Sequence, residues 1–323
     1  ERFIKRFSRE RIRLKITVIG KGGLYNAEFF YVKALRALGH DVRFIDQYEG
    51  VSRPTLTRFL VTRFSSARLI LRRLEVNKIR DLGNPDLVLV FKGELLDDAF
   101  LRLLRDYNAY LFFPDTFRFR MLLKNRLQRL NGIIVTTPFT EYFKRLGAKR
   151  VITTSWACDP EVHRPIDVEK IYDVTFVGTF YPNRWSILRK VKPKPHVFGD
   201  FWLFQAGVLH KSVYGEDYIR TINQSKINVN VHHPADIKAE APNMRTFEVA
   251  GSGGFLITER MNVLNTFFKR IETYATVDEL NEKIKYYLQN EKQRTEIGMA
   301  LREECERRHT YYIRIQDLLR QLY

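Results

Sequence analysis

The sequence predicts an α/β protein of two doubly wound parallel-sheet domains, and three observations predict it. Short apolar runs recur along the 323 residues, with helical spacing between them. The runs are apolar at consecutive positions, the pattern of strands covered on both faces. The alternation lapses once, over Trp156–Asp173, where two prolines and mixed charge mark a linker, and then restarts.

Taken in order, Lys15–Gly20 (KITVIG) reads as the first strand, KGGLY as its loop and Asn26–Leu38 as a helix stopped by Gly39-His40. Asp41–Asp46, Asp86–Phe91, Tyr110–Phe113, Gly132–Thr137 and Arg150–Ser155 read as further strands. Phe59–Leu74 reads as a basic amphipathic helix, facing either the sheet or an anionic surface. Asp97-Asp98 reads as a helix cap rather than a metal-binding pair. Beyond the lapse, Asp173–Gly178, His196–Gly199, Lys226–Val231 and Gly254–Thr258 read as strands. Arg184–Lys190, Tyr218–Ser225 and Asn243–Ala250 read as helices, and Val277–Tyr323 is helical throughout. The expected layout is a domain over 1–157, a linker over 158–172, a second domain over 173–305 and a terminal helix over 306–323 packing back toward the first domain. Ligands bind at the carboxyl ends of such strands, so two facing sheets are expected to place a site in the cleft between them.

Composition narrows the function classes. The net charge of +18 suits a polyanionic partner (nucleic acid, an anionic membrane face or a phosphate-bearing substrate) or a well-solvated surface. The densest basic block, ERFIKRFSRERIRLK, reads as an arm for anionic lipid or as a solvated end. No apolar window is long enough for a transmembrane helix, and the first residues lack the apolar core of a secretory signal. Cys158 and Cys305 have neither disulfide-framework nor zinc spacing, and the histidines form no ligand pair. A cytoplasmic location is expected, with a peripheral position at the inner membrane face as the alternative.

The strongest local signal is EAPNMRTFE, Glu240–Glu248, followed by VAGSGG. Pro242 prevents a helix from running through it and can open one downstream. The new helix would aim its first N–H groups and positive dipole end at a ligand, a phosphate site by construction. Arg245 falls on its first turn and Glu248 three residues later, where a buried carboxylate could accept from a ribose diol. Taken alone, the same residues also fit a helix start with an ordinary Arg245–Glu248 ion pair.

The segment resembles the E-x7-E motif of GT-B glycosyltransferases, most closely the CgeB-like group, through Asn243, Arg245, Phe247, Glu248 and AGSGGFLIT. VGTFYPNR (Val177–Arg184) and RHTYYIRIQDLL (Arg308–Leu319) are similar to further segments of that group, and the resemblance covers about residues 171–323. It implies two Rossmann-like domains facing across a cleft, no tightly bound cofactor, no metal and a UDP- or GDP-sugar donor. By the same resemblance, Glu248 binds the ribose, while Asn243, Met244, Arg245 and Thr246 meet the diphosphate. Glu240 lies near the donor sugar, and Arg184 or Lys238 neutralises the leaving phosphates. Gly178 and Gly199 end strands beside the donor, and His232 is placed to reach the sugar. In the first domain, Gly22 and Gly23 form a loop facing the phosphates and acceptor, and Asp115 serves as base or acceptor contact. GKGGLY is not a dinucleotide fingerprint.

The implied function is sugar transfer to a hydroxyl of a glycan, a lipid-linked intermediate or another acceptor, with a retaining course favoured. A DNA-modifying glucosyltransferase of the same fold and a non-catalytic sugar-nucleotide-binding protein are the alternatives.

Overall fold

The computed structural model describes residues 13–49, 74–114, 123 and 126–323. Residues 1–12 of the basic N-terminal run, the Phe59–Leu74 helix except Leu74, and Asp115 lie outside the described residues. Two compact units are present, the second comprising Thr136–Phe139 and Thr153–Tyr323 within the described residues.

The first unit holds strands β1 (Lys15–Gly20), β2 (Asp41–Asp46), β3 (Leu87–Phe91), β4 (Ala109–Phe112), β5 (Gly132–Val135) and β6 (Val151–Thr153) in the order β2-β1-β3-β4-β5-β6. Its helices are α1 (Ala27–Ala37), α2 (Asp98–Leu103) and α3 (Thr140–Arg145). β3, β4 and β5 are buried along their whole length, as consecutive apolar residues require. Asp97 caps α2 by accepting from the Phe100 N–H at 2.8 Å, the role its position suggested.

The second unit holds β7 (Tyr172–Val177), β8 (His196–Phe198), β9 (Val208–His210), β10 (Ser225–Asn230), β11 (Leu256–Glu259) and β12 (Glu272–Tyr274). They run parallel in the order β12-β11-β10-β7-β8-β9. Its helices are α4 (Pro182–Leu188), α5 (Gly215–Asn223), α6 (Pro234–Lys238), α7 (Met244–Gly251), α8 (Leu264–Phe267), α9 (Val277–Gln289), α10 (Glu291–Arg308) and α11 (Tyr311–Leu322). Phe176, Val229, Phe247, Ile257 and Leu301 meet in its core. β9 and β12 have no counterpart in the sequence reading: each is three residues long, and neither is an unbroken apolar run. The long helical tail breaks at Asn290 and again at His309-Thr310.

That last break explains much of RHTYYIR. Thr310 caps α11 by accepting from the Ile313 N–H. His309 lies between the Phe267 carbonyl, 2.8 Å from its Nε2, and the Arg314 guanidinium against its Nδ1. Burial, and next the Arg314 charge, push the imidazole down to about 4. A histidine that resists protonation only when folded stabilises fully above its unfolded value near 6.5, and the contribution is lost as pH falls toward about 4. Between about pH 7.5 and about pH 5, the loss should be about 2 kcal/mol. Urea unfolding at the two pH values measures it, and His309→Gln should flatten the difference.

The two cysteines, distant in sequence, are both buried and adjacent: the Cys305 thiol is raised by burial and next by its hydrogen bond with Cys158.

Candidate functional site

In the second unit the chain runs from β7 outward through β8 and β9, then returns to place β10 on the other side of β7. Loops leaving the carboxyl ends of β7 and β10 therefore diverge, and a crevice opens at this switch point. The β7 exit carries Gly178–Arg184; the β10 exit carries His232 to Asn243 and leads into α7.

Asn243 occupies the N-cap of α7 but makes no side-chain cap. Its amide instead pairs reciprocally with that of Asn230 at the end of β10, at 3.0 and 3.1 Å. The Asn230 Nδ2 also donates to Thr246 Oγ1 at 3.2 Å. Turned away from its own helix, the cap residue leaves the first amides of α7 without the usual side-chain acceptor. Arg245 stands on this turn, half-buried, its Nε enclosed and without a hydrogen-bond partner. Met244 is likewise half-buried, whereas Thr246 is fully buried.

Arg184 is braced more tightly than its sequence position suggested. Its Nε donates to the Val231 carbonyl at 3.0 Å and its Nη1 to the Thr179 carbonyl at 2.8 Å, and the guanidinium lies 4.8 Å from the Tyr181 ring centroid. Burial, and next the Arg245 charge, lower it to about 10. Two neighbouring guanidiniums repel, and a bound anion would relieve both.

Glu248 is buried and makes no ion pair with Arg245. Its Oε2 accepts from the Tyr218 hydroxyl at 2.9 Å, and its Oε1 stands 3.9 Å from His163 Nε2. His163 Nδ1 accepts from the Asp159 N–H at 2.8 Å, which assigns the ring proton to Nε2, facing Glu248. Burial, then the Glu248 charge, raise the Tyr218 phenol well above its usual value.

Glu240 adopts φ +48, in the left-handed region. Its Oε2 accepts from the Val263 N–H at 2.9 Å. It lines a cavity of ≈ 350 Å³ with Glu259, Arg260, Met261, Asn262 and Tyr274, at the carboxyl ends of β11 and β12. His232 is fully buried; its Nδ1 makes no hydrogen bond but stands 3.4 Å from Glu259 Oε2, the oxygen that accepts from the His232 backbone N–H. His233 turns elsewhere and caps α6, accepting from the Ala235 N–H. Lys238, at the end of α6, is exposed.

Gly178 and Gly199 lie in contact where β7 and β8 end. A Cβ on Gly199 would sit 2.0 Å from the Gly178 oxygen, and that oxygen accepts from the Trp202 indole at 2.9 Å. Their common property is close backbone approach.

The first unit has its own switch point, between β1 and β3. Gly23 follows β1 with φ +123, and a Cβ on Gly22 would meet the Asp46 carboxylate at 2.2 Å. Asn26 closes the loop, donating to the Lys21 and Gly22 carbonyls while capping α1. Glu28, buried behind the loop, accepts from the Lys21 N–H at 3.1 Å, and burial raises its carboxyl above the usual range. The β3 exit is strained at Lys92 (φ +57), and Gly93 after it takes φ +60 freely, with its carbonyl held by the buried Arg126. Strain of this kind costs roughly 1–3 kcal/mol and collects where function requires it.

Sequence reading missed Tyr218, His163, Asn230 and Glu28. Asn230 had a signal: Asn228 and Asn230 alternate with valine on one strand face, a polar ladder in an otherwise apolar strand. His163 had none, since it sits in the segment assigned to a linker. Among the described residues, no group of three or more His, Cys, Asp or Glu is placed to hold a metal.

Residues 182–320 match the family model described as glycosyl transferase-like. No curated protein sequence matches the chain. Among solved structures, TarM superposes with a TM-score of 0.54 at 11% identity, over 73% of this chain and 54% of that one. The chain thus spans about half the length of TarM. The DNA-modifying enzyme β-glucosyltransferase, solved with and without uridine diphosphoglucose, gives 0.61 at 13% identity over 96% and 99% of the two chains. An E. coli trehalose-6-phosphate protein bound with UDP-2-fluoro glucose gives 0.64 at 9% identity over 95% and 98%. Both sheets of this chain therefore follow the Rossmann-like architecture of those enzymes. Residues 182–320 are thus similar to the glycosyl transferase-like family, and the chain as a whole has the two-domain GT-B fold.

Proposed function

We propose that the chain transfers a sugar from a nucleoside diphosphate sugar to an acceptor hydroxyl, with the donor held at the start of α7. One observation carries the reading. The Asn243 side chain is drawn away from its helix by Asn230, so the α7 amides and Arg245 form a cationic mouth with the buried Glu248 behind it. A diphosphate suits the mouth and a ribose diol suits the carboxylate.

In this reading the departing nucleoside diphosphate is stabilised by fixed positive charge, Arg245 first and the braced Arg184 behind it, with no metal required. Glu240, shaped by its left-handed backbone, borders the donor sugar in the cavity beside β11 and β12. A retaining course is favoured, since His40, the only histidine in residues 1–157, accepts from the Leu14 N–H at 3.3 Å and is engaged structurally. The acceptor is a hydroxyl of a glycan, a lipid-linked intermediate or another acceptor.

The relatives bound to UDP-glucose and its fluoro analogue support a uridine donor, with GDP-sugars as the comparison. A thermal-shift panel of UDP-, GDP-, ADP- and TDP-sugars tests this. At a hundred-fold excess over Kd, the cognate donor should add about 2.7 kcal/mol of stability. No shift with any member of the panel would sink the reading.

A further inference from the structure

We infer that the loop between β8 and β9, together with edge strand β9, is a docking surface for an anionic lipid bilayer. Three large apolar side chains stand out from this loop: Phe201 is 66%, Leu203 81% and Phe204 57% exposed. Leu209 on β9 borders the same hollow as Phe201 and Leu203, and Val208 beside it is also exposed. A globular protein rarely leaves such side chains together in water without use for them.

The loop is built to present them. Trp202 points inward, its indole donating to the Gly178 carbonyl and its ring against Phe176 and Phe180. Phe201 adopts φ +61, an uncommon backbone for an aromatic residue. Anchored through Trp202, the chain turns its neighbours outward. β9 is also the last strand of the sheet, so nothing in the sheet covers its outer edge.

Charge selects the occupant. Residues 189–214 contain five cations, Arg189, Lys190, Lys192, Lys194 and Lys211, against one acid, Asp200, which accepts from the Tyr214 hydroxyl. All five cations are exposed and none is in an ion pair. Arg189, Lys194 and Lys211 lie beside the apolar surface, whereas Lys190 and Lys192 pack their backbone on Asn281. Lys211 borders the same ≈ 660 Å³ hollow as Phe201, Leu203 and Leu209. The Arg189 guanidinium lies 4.4 Å from the Trp185 ring, which in turn packs on Phe204. Lys194 precedes Pro195, whose carbonyl accepts from the Val208 N–H. Bulky apolar side chains on an exposed loop, flanked by exposed cations outside ion pairs, match the interfacial region of a membrane, where rings enter the headgroup layer and cations meet lipid phosphates. A second copy of this chain would bring the same five cations against one another.

The test is sedimentation of the full chain with phosphatidylcholine vesicles and with mixed phosphatidylcholine–phosphatidylglycerol vesicles. The wild type should co-sediment with the mixed vesicles only, and added salt should weaken it. The double variant Leu203→Asp/Phe204→Asp and the variant Lys194→Glu/Lys211→Glu should each bind at least about tenfold less. All four positions are exposed, so melting temperatures close to the wild type confirm intact folds. Undiminished binding by the double variant would assign any vesicle affinity elsewhere, such as the basic N-terminal run, and overturn the inference. So would equal binding to neutral vesicles, no binding to mixed ones, or a lipid-free dimer that the double variant abolishes.

Discussion

Glu248→Ala is expected to abolish donor binding while leaving the fold in place. The carboxylate is buried on α7, and on the proposed function it accepts from both ribose hydroxyls. Losing two charge-assisted hydrogen bonds costs about 3–5 kcal/mol, more than a hundredfold in donor affinity. The thermal shift with the cognate sugar nucleotide should vanish, and transfer should fall by at least the same factor. A separate cost falls on stability, because the Tyr218 hydroxyl loses its acceptor at 2.9 Å inside a closed environment. That cost is about 1–3 kcal/mol. Two further variants separate the effects. Glu248→Gln keeps an acceptor for Tyr218 and should recover most of the stability with little of the binding. Tyr218→Phe keeps the carboxylate and should retain most of the donor shift. A Glu248→Ala protein that still gains stability from the donor would move the ribose site elsewhere.

Gly199→Ala should be the most damaging small substitution in the second unit. Its methyl would occupy a point 2.0 Å from the Gly178 oxygen and 2.6 Å from its carbonyl carbon. The obstacle is backbone, so it cannot swing aside. The Gly178 N–H donates to the Phe198 carbonyl at 2.8 Å, and its oxygen is held by Trp202. Relief therefore requires β7 and β8 to part at their carboxyl ends. The expected loss is about 3 kcal/mol or more, seen as a fall of roughly 6–12 °C in melting temperature. Gly147→Ala is the comparison: φ +99 strains it, yet nothing lies within 4 Å of the added carbon. It should cost about 1 kcal/mol. Equal losses at the two positions would mean that backbone strain, not the Gly178 contact, governs both.

The architecture was legible in the order and composition of the residues. Runs such as LVLVF and GIIV are apolar at consecutive positions because both faces of their strands are covered, and that requirement is written locally. The start of α7 was legible for the same reason, since Pro242 and the residues after it act on their own backbone. The three-residue strands β9 and β12 were not legible, because hydrogen bonds from a neighbouring strand define them.

The partners of the candidate site residues came from segments distant in sequence. EAPNMRTFE is compatible with an ordinary Arg245–Glu248 ion pair until Tyr218 and His163 arrive from distant segments and take the carboxylate. Arg184 could reach a phosphate directly until the Val231 and Thr179 carbonyls take its Nε and Nη1 and hold it as a fixed charge behind Arg245. Asn243 would cap its own helix were Asn230 not opposite it. Backbone periodicity is set by neighbours a few residues away, whereas the partner of a polar side chain is set by whichever strand end the topology brings beside it.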